Sequence, residues 1–258
     1  MGELTPNLSV FLLILVRVSA FFVTMPLFSY RTIPAQHRIA FALVLSWTMY
    51  YSIDASPLEI NGEYLLLILK EAMTGLLIGL AAFIILSAIQ IAGGFIDFQM
   101  GFAIANVIDP QTGAQSPLMG QYLYMFSLLM LLALNGHHLI LDGIFYSYEF
   151  IPIDQMYLPF GNGEAAYYMA RTFNAVFIIA FQMSMPVVAV LFLTDVMLGI
   201  VARTVPQLNI FVVGFPLKIG VAFIVVFIVL GVIFTLVRDL FGIMLQTMRD
   251  LMTIFGGG

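Results

Sequence analysis

Cysteine is absent from all 258 residues, which removes disulfides, thiolate nucleophiles and Cys-ligated zinc or iron–sulfur sites together. Charge is nearly as scarce. Nine Lys and Arg and fourteen Asp and Glu make up 9% of the chain, where soluble domains carry roughly 25%. So few charges cannot form the polar shell that a soluble core of this length requires. No Lys- or Arg-rich run is present to hold nucleic acid, and the net charge of −5 carries little meaning when the acids sit in a few loops. G-x-S-x-G, H-E-x-x-H, P-loop and dinucleotide glycine motifs are all missing, so no catalytic residue, cofactor or enzyme activity is expected. The segment Met1-Gly2-Glu3-Leu4-Thr5-Pro6 has no basic region or small-residue cleavage site, and Pro6 stands where myristoylation needs Ser or Thr, so the first apolar stretch is expected to be retained.

What remains is overwhelmingly apolar: 62% hydrophobic residues and a mean hydropathy of +1.07. The solvent for such a chain is the bilayer or a membrane-embedded assembly. Six hydrophobic stretches cover residues 8–28, 39–53, 64–96, 117–134, 167–202 and 219–237. A spanning helix needs roughly 20 apolar residues. Three stretches suit that length and the second is short. The third and fifth are too long, since about 33 helical residues run about 50 Å against a ~30 Å hydrocarbon core. Gly93-Gly94 and Pro186 are the predicted places for these two to bend. The fold class is all-α, a polytopic membrane protein of about six long hydrophobic kinked helices in a single domain over 1–258. Arg31 and Arg38 lie in one loop, Arg203 and Lys218 in another, while loops 54–63 and 135–166 carry only acids. The positive-inside rule puts the two basic loops in the cytoplasm and the N-terminus outside, provided every stretch crosses. In the tail, Asp239, Gly242, Gln246, Arg249 and Thr253 form a polar line among Leu, Phe, Ile and Met, the pattern of an amphipathic helix that rests on a membrane or a partner.

Several polar residues lie inside apolar stretches. Arg17 sits mid-stretch, where an Arg costs roughly 2.5–3.5 kcal/mol unless it meets a partner or water; a packing pair and a transport role both fit it. Lys70 and Glu71 are sequence neighbours and point to different helix faces, which favours two separate partners over one internal pair. Gly75 and Gly79 form a GxxxG motif, a signal for close helix contact. Ser87, Gln90, Gly94, Asp97 and Gly101 recur at spacings of three and four, a small polar stripe that faces either partner helices or a pore. Asp195 lies within the fifth stretch. The loop from Gln99 to Gly113 is apolar and ends in the turn signal Asp109-Pro110. Its plain reading is a buried filler, and its functional reading is an apolar constriction in a pore. His138 and Asp142 have a metal-ligand spacing, but two ligands without a third do not make a site, and no metal is expected. Sixteen Met and 24 Phe suit adaptable packing, around a variable cargo or simply between helices.

Four segments carry a resemblance. They are Arg17 through Pro26 to Ile33-Pro34-Ala35; Asp97-Phe-Gln-Met-Gly101 through Ile108-Asp109-Pro110-Gln111; Asn135-Gly136-His137-His138; and Arg203-Thr-Val-Pro206-Gln-Leu-Asn209 through Gly214-Phe-Pro-Leu217. Together they resemble the FliR family of flagellar export proteins over nearly the whole chain. The resemblance implies one copy of this subunit among several copies of FliP and FliQ in the export gate of the flagellar type III secretion system. FlhB and FlhA would be further partners, in the bacterial cytoplasmic (inner) membrane at the flagellar basal body. Unfolded flagellar proteins would pass through, driven by an associated ATPase and the proton gradient. It also implies a FliP-like part over 1–165 joined to a FliQ-like hairpin over 166–258, whose tip holds Pro206, Gln207, Leu208 and Asn209. By motif, an apolar plug falls on Gly101, Phe102, Ala103, Ile104, Val107, Ile108, Asp109 and Pro110. Alternatives are the equivalent subunit of a virulence injectisome, a small-solute transporter using Arg17, Lys70 and Glu71, and an intramembrane enzyme built on His137, His138 and Asp142. A transporter usually shows matched internal repeats, and none is found.

Overall fold

The computed structural model describes residues 7–29, 33–53, 58–102, 117–159, 163–205, 207 and 209–256. Among these the chain is helical, with no strand. The helices are α1 (Leu8–Thr24), α2 (Ala35–Tyr50), α3 (Gly62–Met100), α4 (Leu118–Ala133), α5 (Gly136–Phe150), α6 (Glu164–Thr204) and α7 (Ile210–Gly256). Three of them, α3, α6 and α7, are long and apolar enough to cross a membrane, and α4 with α5 makes a fourth if the bent pair is one span. This is a polytopic membrane architecture.

The long helices are continuous through the residues expected to bend them. α3 runs 39 residues through Gly93-Gly94, and α6 runs 41 residues through Pro186, both without interruption. A sharp bend lies between α4 and α5, at 75°, where Asn135 takes a left-handed conformation with φ 56°. Asn enters that region more readily than most residues because its short polar side chain bonds locally. The acidic segment 135–166, read as a loop, therefore contains a full helix. The sixth stretch and the amphipathic tail likewise merge into α7, one helix of 47 residues.

Internal packing divides the chain into two compact units, each assembled from separate stretches. The first comprises Met1–Ile85, Leu132–Phe173 and Phe241–Gly258; the second comprises Leu86–Leu131 and Asn174–Leu240.

In the first unit α1 buries Val10, Leu13, Ile14, Arg17, Val18, Phe21 and Phe22, the three-and-four spacing of one helix face. α2 packs beside it, with Phe22 stacked on Phe41 at 5.3 Å between ring centroids. The GxxxG pair of α3 meets α1 directly. A Cβ at Gly75 would collide with the Arg17 carbonyl, and one at Gly79 with the Thr24 hydroxyl. Only glycine permits so close a crossing. The last turns of α7 complete this unit. Phe241, Met244, Met248, Leu251, Met252 and Phe255 are buried, whereas Asp239, Gly242, Gln246, Arg249 and Thr253 are all exposed, so the predicted polar line is the solvent side of a docked helix. Tyr168 donates to Asp250 at 2.7 Å, and the Gln155 amide donates to the Phe255 carbonyl at 3.0 Å.

In the second unit Gly93 of α3 abuts Gly120 of α4, backbone against backbone. Phe95 meets Phe181 and Phe126 meets Phe234. Within their most apolar windows α3 is 56% buried, α6 33% and α7 17%. Phe223, Ile224, Phe227, Ile228 and Val232 of α7 are exposed, as are Phe177, Phe181, Phe192 and Leu193 of α6. Apolar faces of this extent mark contact with lipid or protein.

Candidate functional site

The first polar centre grows from the α1–α3 crossing. The buried face of α1 carries Arg17 inward, fully enclosed, and the glycine contact lets α3 present Glu71 to it. The guanidinium binds Glu71 in a two-pronged pair through Nε and through Nη2, the latter at 2.8 Å. Nη1 donates to Ser147 Oγ at 3.0 Å, Nη2 also donates to the Ile151 carbonyl at 2.8 Å, and Cζ lies 3.8 Å from the centre of the Tyr148 ring. Planar, bidentate and stacked contacts together are what arginine supplies and lysine does not.

Lys70 also binds Glu71, which corrects the expectation of separate partners. Neighbouring helix residues do point about 100° apart, but the long lysine stem folds back over that angle. Its ammonium donates as well to the carbonyls of Pro152 at 2.9 Å and Ile153 at 3.1 Å. Two cations thus share one carboxylate. The remaining positive charge is met by the end of α5, where unpaired carbonyls and the helix dipole concentrate negative potential. A buried set of this kind persists only because every donor has an acceptor.

The second polar centre lies in the second unit, where α3 ends. Asp195 of α6 accepts from Lys218 of α7, at 2.8 Å to Oδ1, and from the Gln99 amide of α3 at 2.9 Å. Lys218 was not picked out as a site residue, although an acid in an apolar stretch demands a counter-ion and Lys218 lies 23 residues onward. Two residues before Gln99, buried Asp97 accepts the Met119 N–H at 2.8 Å at the start of α4. Gly101 has φ +91°, and a Cβ there would press on the Phe215 ring. Phe102 meets Phe215 with ring centroids 6.3 Å apart. The stripe from Ser87 to Gly101 is therefore not uniform. Asp97 is buried at α4, while Gln90 is exposed beside Ile91, Gly94, Phe95, Phe98 and Pro117, which together line a shallow groove.

Gly101 and Phe102 are thus placed, whereas Ala103, Ile104, Val107, Ile108, Asp109 and Pro110 lie outside the described residues. At the hairpin tip Gln207 and Asn209 are described and exposed, and Pro206 and Leu208 lie outside. His137 and His138 are adjacent, with ring centroids 4.1 Å apart. Among the described residues no group of three metal-ligating side chains occurs.

A buried Arg–Glu–Lys set, small residues at helix crossings and long uncovered apolar faces fit a subunit of a membrane assembly. Residues 8–244 match the model of the bacterial export proteins, family 1. The chain belongs to that family. It is 61% identical over 219 residues to the flagellar biosynthetic protein FliR of Bacillus subtilis, covering 84% of this chain and 85% of that one. FliR of Escherichia coli is 27% identical over 208 residues, 80% of this chain and 78% of that one. The Yop proteins translocation protein T of Yersinia pestis is 27% identical over 213 residues, 81% of each chain. The resemblance read from the four segments is borne out by this family of export proteins.

Proposed function

We propose that this chain is a subunit of the flagellar type III secretion export gate in the bacterial cytoplasmic membrane. It lines part of the protein-conducting channel and carries no reaction of its own. The observation that carries this reading is the 61% identity with a flagellar FliR over 84% of the chain. The 27% identity with the Yersinia translocation protein makes the injectisome the more distant branch. FliP and FliQ homologues are the partners, with one copy of this chain, and FlhB and FlhA join them. Residues 1–165 act as the FliP-like part and 166–258 as the FliQ-like hairpin. The uncovered faces of α6 and α7 supply apolar surface for such neighbours and for lipid. In the closed channel the apolar run from Gly101 to Asp109 is the plug, sealing by dewetting and close packing. A solute transporter is less well supported, because Arg17, Lys70 and Glu71 are engaged with one another and with α5.

The test is co-expression with the FliP and FliQ homologues of the same genome and native mass spectrometry of the purified complex. One copy of this chain among several of the others is the expected result; recovery of this chain alone, stable in detergent, refutes the assignment. For the plug, replacing Phe102, Ile104 and Ile108 with Gly should make the membrane leak small ions, and unchanged conductance counts against it.

A further inference from the structure

We infer that the groove between α1 and α2 holds an anionic phospholipid, with Arg38 binding its phosphate and an exposed line of α2 lying along an acyl chain. Such a site needs only the membrane architecture and stands apart from the export-gate reading.

α1 and α2 form an antiparallel hairpin: Phe11, near the start of α1, meets Trp47, near the end of α2, while Phe22 meets Phe41. Where α1 ends and α2 begins, Ser19, Phe22, Val23, Ala35, Arg38 and Ile39 line a groove of 240 Å³. Arg38 is the charged residue among them. Residues 4–53 contain no Asp or Glu, so nothing in the hairpin can neutralise it. Arg17, on the buried face of α1, takes its anion from α3 in the form of Glu71. Among the described residues no acid lies within ion-pair distance of Arg38. Its Nε is shut away from solvent and has no hydrogen-bond partner among those residues, and a buried donor left unpaired is costly. The helix adds to the deficit. Arg38 sits in the first turn of α2, where the dipole is positive and favours anions over cations. The charge that complements this groove is therefore negative, and it comes from outside the hairpin.

The surface beside Arg38 says what carries that charge. Ile39, Leu43, Trp47 and Tyr51 follow one another at intervals of four along α2 and are between 41% and 59% exposed. The line from Ile39 to Tyr51 is about 18 Å long, and one leaflet's hydrocarbon is about 15 Å deep. A carboxylate from a neighbouring helix would satisfy Arg38 and leave this apolar line unexplained. A phospholipid satisfies both. The guanidinium fork matches a phosphate with two parallel hydrogen bonds, and the acyl chain covers the line. Basic pockets between membrane helices bind anionic headgroups in this way.

The test is quenching of Trp47, the single tryptophan of the chain, which lies about 14 Å along the helix axis from Arg38. The complex with FliP and FliQ homologues is placed in vesicles of phosphatidylcholine and phosphatidylglycerol in equal parts, with bromine on the chains of one lipid or the other. Subtracting the same complex carrying Trp47→Phe isolates the signal. Brominated phosphatidylglycerol should quench roughly fivefold more effectively than brominated phosphatidylcholine, the scale of one cation at an anionic headgroup. Arg38→Leu should bring that ratio to parity, and Arg38→Lys, which keeps the charge, should retain part of the preference. Equal quenching by the two lipids in the parent overturns the inference. So does the absence of quenching by either, which would show that protein covers the line. A preference that survives Arg38→Leu, or one lost as fully in Arg38→Lys, overturns the role of the Arg38 charge. Should Arg38→Leu not assemble, Arg38→Gln takes its place: a parental ratio overturns the inference and parity supports it. If the complex itself does not form, the export-gate reading has failed, and the chain alone in the same vesicles decides the lipid site by the same ratio.

Discussion

Glu71 and Asp195 are both carboxylates inside apolar helices, and both bind a lysine, yet their surroundings are opposite. Glu71 and its partner Arg17 are fully enclosed, and their set is completed by Lys70, Ser147, a ring face and backbone carbonyls. Asp195 is 39% exposed and Lys218 17%, with one amide as the further partner. Enclosed charge is costly to leave unpaired, so the first centre tolerates no vacancy. The open centre is eased by water or by whatever neighbour covers it, so its pair contributes little by itself. The same residue types therefore fix a helix crossing in one unit and leave room for adjustment in the other.

The most damaging way to break this comparison is Glu71→Ala, which leaves Arg17 and Lys70 buried together. It should lower stability by about 3–5 kcal/mol, read as a fall in denaturation midpoint in detergent; a shift no larger than that of Asp195→Ala would mean that the two centres do not differ as described. Gly75→Leu attacks the same crossing through packing and should cost about 1–3 kcal/mol, with Gly62→Leu, which meets nothing within 4 Å, as the neutral control. Asp195→Ala should cost no more than about 1 kcal/mol, and a larger loss would show that the second centre is closed in the assembled state. The comparison is sharpened by replacing the whole enclosed set, with Arg17→Met, Lys70→Leu and Glu71→Leu together. Replacing buried ion sets by apolar residues often leaves stability unchanged, so the triple variant should fall well short of the single Glu71→Ala loss. If it is as unstable as the single variant, the carbonyls of Ile151, Pro152 and Ile153 need their cations.

The parts of this molecule that were legible in advance are those written in local spacing. The GxxxG pair predicted a close crossing, and the α1–α3 contact is one. The polar line from Asp239 to Thr253 predicted one wet face, and all five of its residues are exposed. The partners of Arg17 were not legible, because Glu71 is 54 residues away and Ser147 130, and no periodicity reports a contact of that range. The Lys70–Glu71 pair was misjudged because backbone direction was used for a side chain long enough to override it. The bend at Asn135 has a local signature in the Asn135-Gly136 pair, which went unread because the segment 135–166 was taken whole as a loop. Within Gly93-Gly94, the missing side chain of Gly93 serves contact with α4 instead of flexibility.

The distance in sequence between Arg17 and its partners is also a distance in time. Chains emerge at roughly 5–20 residues per second, so α1 waits roughly 3–11 s for the 54 residues that bring Glu71. It waits roughly 7–27 s for the 134 that bring the Ile151 carbonyl. Throughout that interval α1 carries a bare cation that the hydrocarbon rejects. Arg17 must therefore be sheltered by the insertion machinery or remain at the interface until α3 and then α5 arrive, and α1 becomes the last of the three to be settled.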